Sequence, residues 1–149
     1  MADEMHTSSP LGAPVTKWLK IWMRTVGTFY VFLFVATAIL KLPIQALAPE
    51  GTLDQAANGD GVAMFLVDTW VILGLAIGSI GVALWVASRN VAEASVLVWT
   101  VIGFELIWGI FSDIYQIVRG HPIEKIIIWV VIHVLFITTG ILALRSTRN

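Results

Sequence analysis

Four long apolar runs, separated by short polar stretches, organise this chain. They cover about 18–40, 62–87, 91–118 and 123–144. Each is near or above the ~20 residues an α-helix needs to cross a hydrocarbon layer of ~30 Å. All five prolines (Pro10, Pro14, Pro43, Pro49, Pro122) fall outside the runs. An interior proline would remove a backbone hydrogen bond that lipid cannot replace. The pattern therefore predicts an all-α integral membrane four-helix bundle.

The links between the runs fit that reading. Residues 1–16 are polar and rich in Ser, Pro and Gly, and read as a flexible tail ahead of a single transmembrane domain over 17–149. His6 in that tail has no ligand pattern around it. The first run could also be taken for a signal peptide, with Ala46-Leu47-Ala48 as the cleavage signal. Its apolar core exceeds the usual ~7–15 residues, and Pro49 would follow the cut directly. The 41–61 stretch is too polar for hydrocarbon and reads as a connector, with a short helical turn and a capping box at Thr52-Leu53-Asp54-Gln55. Asn90 with Glu93 resembles an N-cap that starts the third helix. Gly120 is a suitable C-terminal stop for it, and Pro122 suits the first position of the fourth. The short 88–90 turn makes the second and third helices antiparallel neighbours.

Composition strengthens the assignment. Of 149 residues, 58% are hydrophobic and 13% charged, against about 25% charged in an ordinary soluble domain. The mean hydropathy is +0.86. A net charge of −1 offers no basic field for nucleic acid, which is not an expected partner. With no cysteine, thiol nucleophiles, thiolate metal sites and disulfides are excluded. Lys17, Lys20, Arg24, Arg89, Arg145 and Arg148 flank one side of the spans, and Lys41, Arg119 and Lys125 the other. The positive-inside rule then puts the N- and C-termini in the cytoplasm and the 41–61 loop outside. Trp18, Trp22 and Trp85 fit an interfacial belt.

Glu105 lies in the middle of the third run, Asp113 nearer its far end, Asp68 two turns into the second and His133 at the centre of the fourth. Charges at such depth are expensive and often mark function. At ~1.5 Å per residue, Asp68 and Asp113 lie ~9 and ~7 Å below the outer ends of their helices, His133 ~15 Å and Glu105 ~20 Å. Ideal helical spacing groups Glu105, Trp108, Ser112 and Gln116 on one face with Asp113 beside it, and Trp129 with His133 on another. The expected site is an outward-opening pocket between the second, third and fourth helices. Asp68, Asp113 and Tyr115 form its mouth, Glu105 and His133 its floor, and Trp108 and Trp129 its walls. The bland alternative is that these groups only join the helices, since such contacts average roughly 0.6 kcal/mol. Gly74, Gly78 and Gly81 recur on one face of the second helix and allow close helix packing. No metal is expected, because only one intramembrane histidine is present and the carboxylates differ in depth. Haem, catalytic triads and phosphate loops find no motif, and no cofactor is expected.

The stretches Trp22–Tyr30, Phe65–Trp70 and Leu97–Leu106, with Asp113-Ile114-Tyr115 and the Trp129–Gly140 run, resemble the BphX-like family of small bacterial inner-membrane proteins. A looser likeness is to DoxX-like four-helix proteins. The resemblance covers nearly the whole chain after the tail. It implies a four-helix fold in a bacterial inner (plasma) membrane and a link to aromatic-hydrocarbon degradation, and it transfers no catalytic residue.

The leading functional expectation is binding, or passage, of a small hydrophobic or aromatic molecule at the Glu105/His133 pocket. The second is a non-catalytic structural or accessory subunit of a larger membrane complex, docked through the glycine face. A proton-coupled exporter is a third, weakened by a first helix that lacks a carboxylate, and an enzyme is weaker still. Expected partners are the lipid bilayer, a small hydrophobic ligand, and a membrane-protein partner or a second copy.

Overall fold

A computed structural model describes residues 13–146; residues 1–12, which hold most of the expected tail and His6, and 147–149 lie outside them. Four helices are long and apolar enough to cross a membrane: Lys17–Ile39, Gly61–Ala87, Ser95–Val118 and Ile123–Ser146. They are spans 1 to 4 below. The chain is an all-α, multi-pass membrane bundle. Span 1 is already helical from Ala13, inside the stretch read as tail. Two of the spans contain a wider, π-helical turn, at Val35–Ile39 in span 1 and Glu105–Ile110 in span 3.

The ends of the spans follow local rules, with two departures from the sequence reading. The Asp60 side chain accepts from the Ala63 N–H at 2.8 Å and caps span 2. Gly120, at φ 87°, ends span 3, with His121 N–H bonded back to the Gln116 carbonyl. The connector between spans 1 and 2 carries two short helices, Leu42–Leu47 and Thr52–Ala57. The capping box does not form there, because Gly51 takes the cap position and the Thr52 hydroxyl donates to the Pro49 carbonyl at 2.6 Å. Asn90 likewise makes no side-chain cap; Val91–Glu93 is a 3₁₀ turn, and the α-helix proper begins at Ser95.

Span 1 is the hub. Leu19, Trp22, Met23, Val26 and Tyr30 recur every three or four residues along it and are all buried. With Val98, Val101 and Ile102 of span 3 and Ala143 and Leu144 of span 4 they form one core. Trp22, read as an interface anchor, is instead a core residue. Its indole N–H donates to the Phe136 carbonyl at 3.2 Å and to the Thr139 hydroxyl at 3.1 Å, and its ring lies where a Gly140 Cβ would be.

Span 2 packs on the opposite side of span 1 through its glycines. A Cβ at Gly81 would meet the Gly27 carbonyl oxygen at 2.7 Å, one at Gly78 would meet Phe34 Cβ at 2.7 Å, and one at Gly74 would overlap the Thr37 hydroxyl. Successive turns of span 2 thus meet successive turns of span 1 in antiparallel order. The glycine face is therefore covered within the chain and cannot serve as a docking surface for another subunit.

This packing sets opposite signs for two glycine substitutions. Gly78→Val is expected to cost about 1–3 kcal/mol, because the new side chain must displace Phe34 at a helix–helix contact. Gly103→Ala, whose Cβ has no atom within 4 Å, is expected to stabilise by about 0.5–1 kcal/mol through backbone entropy. Unfolding of the detergent-solubilised protein by denaturant measures both.

Candidate functional site

Three spans bring ionisable side chains together at mid-span. Glu105 is 2% exposed, the deepest charged residue among those described. Tyr30 of span 1 donates its hydroxyl hydrogen bond to Glu105 Oε1. His133 of span 4 bonds Glu105 Oε2 through Nδ1. On the other side of the imidazole, Nε2 stands 3.8 Å from Asp113 Oδ2. That is beyond a direct hydrogen bond. Asp113 is 6% exposed, and Oδ2 has no hydrogen-bond partner among the described residues. The chain of groups runs Tyr30, Glu105, His133, Asp113.

The π turn makes this alignment possible. Residues eight apart on an ideal α-helix are out of line by about 80°. A π turn takes up about one extra residue. Placed at Glu105–Ile110, it returns Asp113 to the face of Glu105. Gly109 lies between them on that face, and a Cβ there would overlap the His133 ring. Glycine at this position lets the imidazole lie against the backbone of span 3.

The geometry decides what the cluster can do. The imidazole lies between two carboxylates, bonded to Glu105 through Nδ1 and facing Asp113 through Nε2, an arrangement that suits a relay or an anchor rather than one of three ligands on one ion. One nitrogen is committed to Glu105. Nε2 and Asp113 Oδ2 form a second, incompletely bonded pair to which a hydroxyl or amine can bond. The imidazole can also accept a proton on one nitrogen and release one from the other. His133 keeps 20% of its side chain exposed, on a surface made of lipid-facing spans.

Of the residues singled out in the sequence, Glu105, His133 and Asp113 meet. The others do not join them directly. Asp68 is exposed on span 2, away from its packed glycine face. Tyr115, Trp108 and Trp129 are 58%, 49% and 40% exposed. Trp108 instead stacks on Phe104 at 6.0 Å between ring centroids, and Phe104 stands edge-on to Tyr30 at 6.3 Å. The site is thus built from spans 1, 3 and 4, with span 2 outside it. Tyr30 is the participant that the sequence reading missed. Its signal was a polar aromatic at the same mid-span depth as Glu105 and His133, in an otherwise apolar stretch.

An apolar groove of about 510 Å³ runs between spans 1 and 4, lined by Trp18, Trp22, Val26, Phe136, Thr139 and Leu142 among others. It lies toward the end of the bundle where span 1 begins and span 4 ends. Phe136, at one end of it, is one helical turn from His133 and packs edge-on to Phe29 at 5.2 Å.

A model of the BphX-like family matches residues 16–149. Comparison with curated proteins and with solved structures gave no match. These comparisons do not show the expected likeness to DoxX-like proteins. A match over nearly the whole chain, on a bundle of four apolar spans, places this protein in the BphX-like family.

Proposed function

We propose that the protein binds, or passes through the bilayer, a small hydrophobic molecule that carries a hydrogen-bonding group. The polar group bonds at His133 Nε2 and Asp113 Oδ2, and the apolar body lies among the aromatic residues of spans 1, 3 and 4. The family resemblance makes an aromatic compound and a bacterial plasma membrane the natural setting. The observation that carries this reading is the imidazole held between two buried carboxylates, one fully bonded and the other not. Groups that served only to join helices would be satisfied by one another. A further feature supports it. The π turn at Glu105–Ile110 is the kind of helix irregularity found at functional sites.

Mass spectrometry of small molecules retained by the gently purified protein tests the reading. Wild type is expected to retain a specific hydrophobic compound, and Glu105→Gln and Gly109→Ala to retain it about ten- to a hundredfold less. That range corresponds to losing a charge-assisted hydrogen bond of about 1.5–3 kcal/mol. Gly109→Ala acts by pushing the imidazole out of place, with every polar group still present. The same bulk lipid on all three proteins would sink the proposal.

A double-mutant cycle of Tyr30→Phe with Glu105→Gln separates structure from function. Their coupling in unfolding free energy is expected at about 0.6–1.7 kcal/mol, the range for interhelical polar contacts. Ligand retention is expected to fall in Glu105→Gln by more than that loss of stability explains. If retention follows stability alone across the cycle, the cluster is helix glue.

A further inference from the structure

A second group of side chains, independent of the Glu105 cluster, lies where span 1 begins and span 2 ends. Lys17, Lys20 and Arg24 stand at i, i+3 and i+7, one face of span 1. All three are exposed. Arg24 is held in place from two directions. Its Nε donates to the hydroxyl of Ser88, at 3.3 Å, and its guanidinium lies 5.2 Å from the centre of the Trp85 ring. Both partners are themselves fixed. Ser88 is fully buried and donates to the Trp85 carbonyl at 2.7 Å, while the Trp85 indole N–H donates to the Thr28 hydroxyl at 3.1 Å.

What Arg24 lacks is an acid. Among the described residues no carboxylate forms an ion pair with it, and neither Nη nitrogen has a hydrogen-bond partner. A cation beside the C-terminal end of span 2 is favourable in itself, and that accounts for Nε. It leaves the Nη pair, the planar fork that matches two oxygens of one phosphate. Arg24 reaches along its helix to the residue that ends span 2, and so sits at headgroup depth. Arg89 follows Ser88 directly. Among the described residues this end is basic: Lys17, Lys20, Arg24, Arg89 and Arg145 are offset only by Glu93. The other end mixes Lys41, Arg119 and Lys125 with several acids.

We propose that Arg24, fixed by Ser88 and Trp85 and flanked by Lys20 and Arg89, binds the phosphate of an anionic phospholipid. The fork takes two phosphate oxygens, Lys20 and Arg89 add charge, and the acyl chains lie along the apolar faces of spans 1 and 2.

The full-length protein in nanodiscs of phosphatidylglycerol and phosphatidylcholine, with retained lipid read by native mass spectrometry, tests this. Wild type is expected to enrich phosphatidylglycerol over phosphatidylcholine. Arg24→Gln is expected to lower that preference about tenfold, and Arg24→Lys to fall between, because lysine keeps the charge and loses the fork. Arg24 also touches the end of span 2, so Lys20→Gln with Arg89→Gln supplies a variant at exposed positions; a several-fold loss is expected there. An unchanged preference in Arg24→Gln or in the double variant overturns the proposal. Release of phosphatidylglycerol by millimolar inorganic phosphate overturns it in favour of a site for free anions.

Discussion

A carboxylate at the middle of a membrane span must be matched by donors from its own bundle, because the surrounding lipid offers none. Glu105 meets that requirement with Tyr30 from span 1 and His133 from span 4. These two bonds fix more than a side chain. They set the rotation of span 1 about its axis, so that Tyr30 points toward span 3. They also set the height of span 4, because His133 must lie level with Gly109, where any Cβ would strike the imidazole. The apolar core packs around this geometry. Val26 lies one turn from Tyr30, and Val101 and Ile102 one turn before Glu105.

Once Tyr30 faces the cluster, the other side of span 1 is left for span 2, and the glycines follow. Gly27 and Gly81 approach so closely that each would drive a Cβ into the other's carbonyl oxygen. Backbones that close gain dispersion contacts along several turns, the main source of helix association in lipid. Span 1 is then sandwiched between a polar partnership on one side and a close glycine packing on the other, with the Arg24–Ser88 and Trp85–Thr28 hydrogen bonds at one end of the latter. Span 2, fully occupied by the steric contact, contributes nothing to the cluster. The short 88–90 turn makes spans 2 and 3 consecutive and antiparallel, yet the main packing partner of each is another helix.

The fold was legible because in lipid the constraint is one-dimensional. A run of apolar residues of sufficient length has few alternatives to a spanning helix, and Gly120 and Pro122 marked the turn after span 3. Which residues meet was legible only in part. Glu105 and His133 share a depth, and depth can be counted along each helix, so their pairing could be anticipated. Ideal α spacing sets Asp113 beside the Glu105 face rather than on it, and nothing in Glu105–Ile110 announces a π turn. The same spacing turns Trp108 inward, whereas it stacks on Phe104 at the surface. Rotation of one helix against another leaves still less trace in a single chain. Asp68 has a suitable depth and the wrong azimuth, and Tyr30 passed unnoticed because tyrosine in an apolar run reads as an interfacial or packing residue. Trp22 shows the converse, since its position near a helix end suggested an anchor while Gly140 opened a place for it in the core.

The second carboxylate is what distinguishes a site from a fastening. Tyr30, Glu105 and His133 already join spans 1, 3 and 4, and every carboxylate oxygen of Glu105 is matched. Asp113 adds nothing to that joint. It stands 3.8 Å from Nε2, too far for a hydrogen bond of its own, with Oδ2 buried and unmatched. A buried, unmatched carboxylate oxygen destabilises a fold by about 1–3 kcal/mol or more. A leucine at 113 would avoid that cost and leave the joint intact. In the binding role proposed above, Asp113 is where a further donor bonds. The neighbouring imidazole, whose Nε2 faces the same space, can match such a group whether it presents a donor or an acceptor.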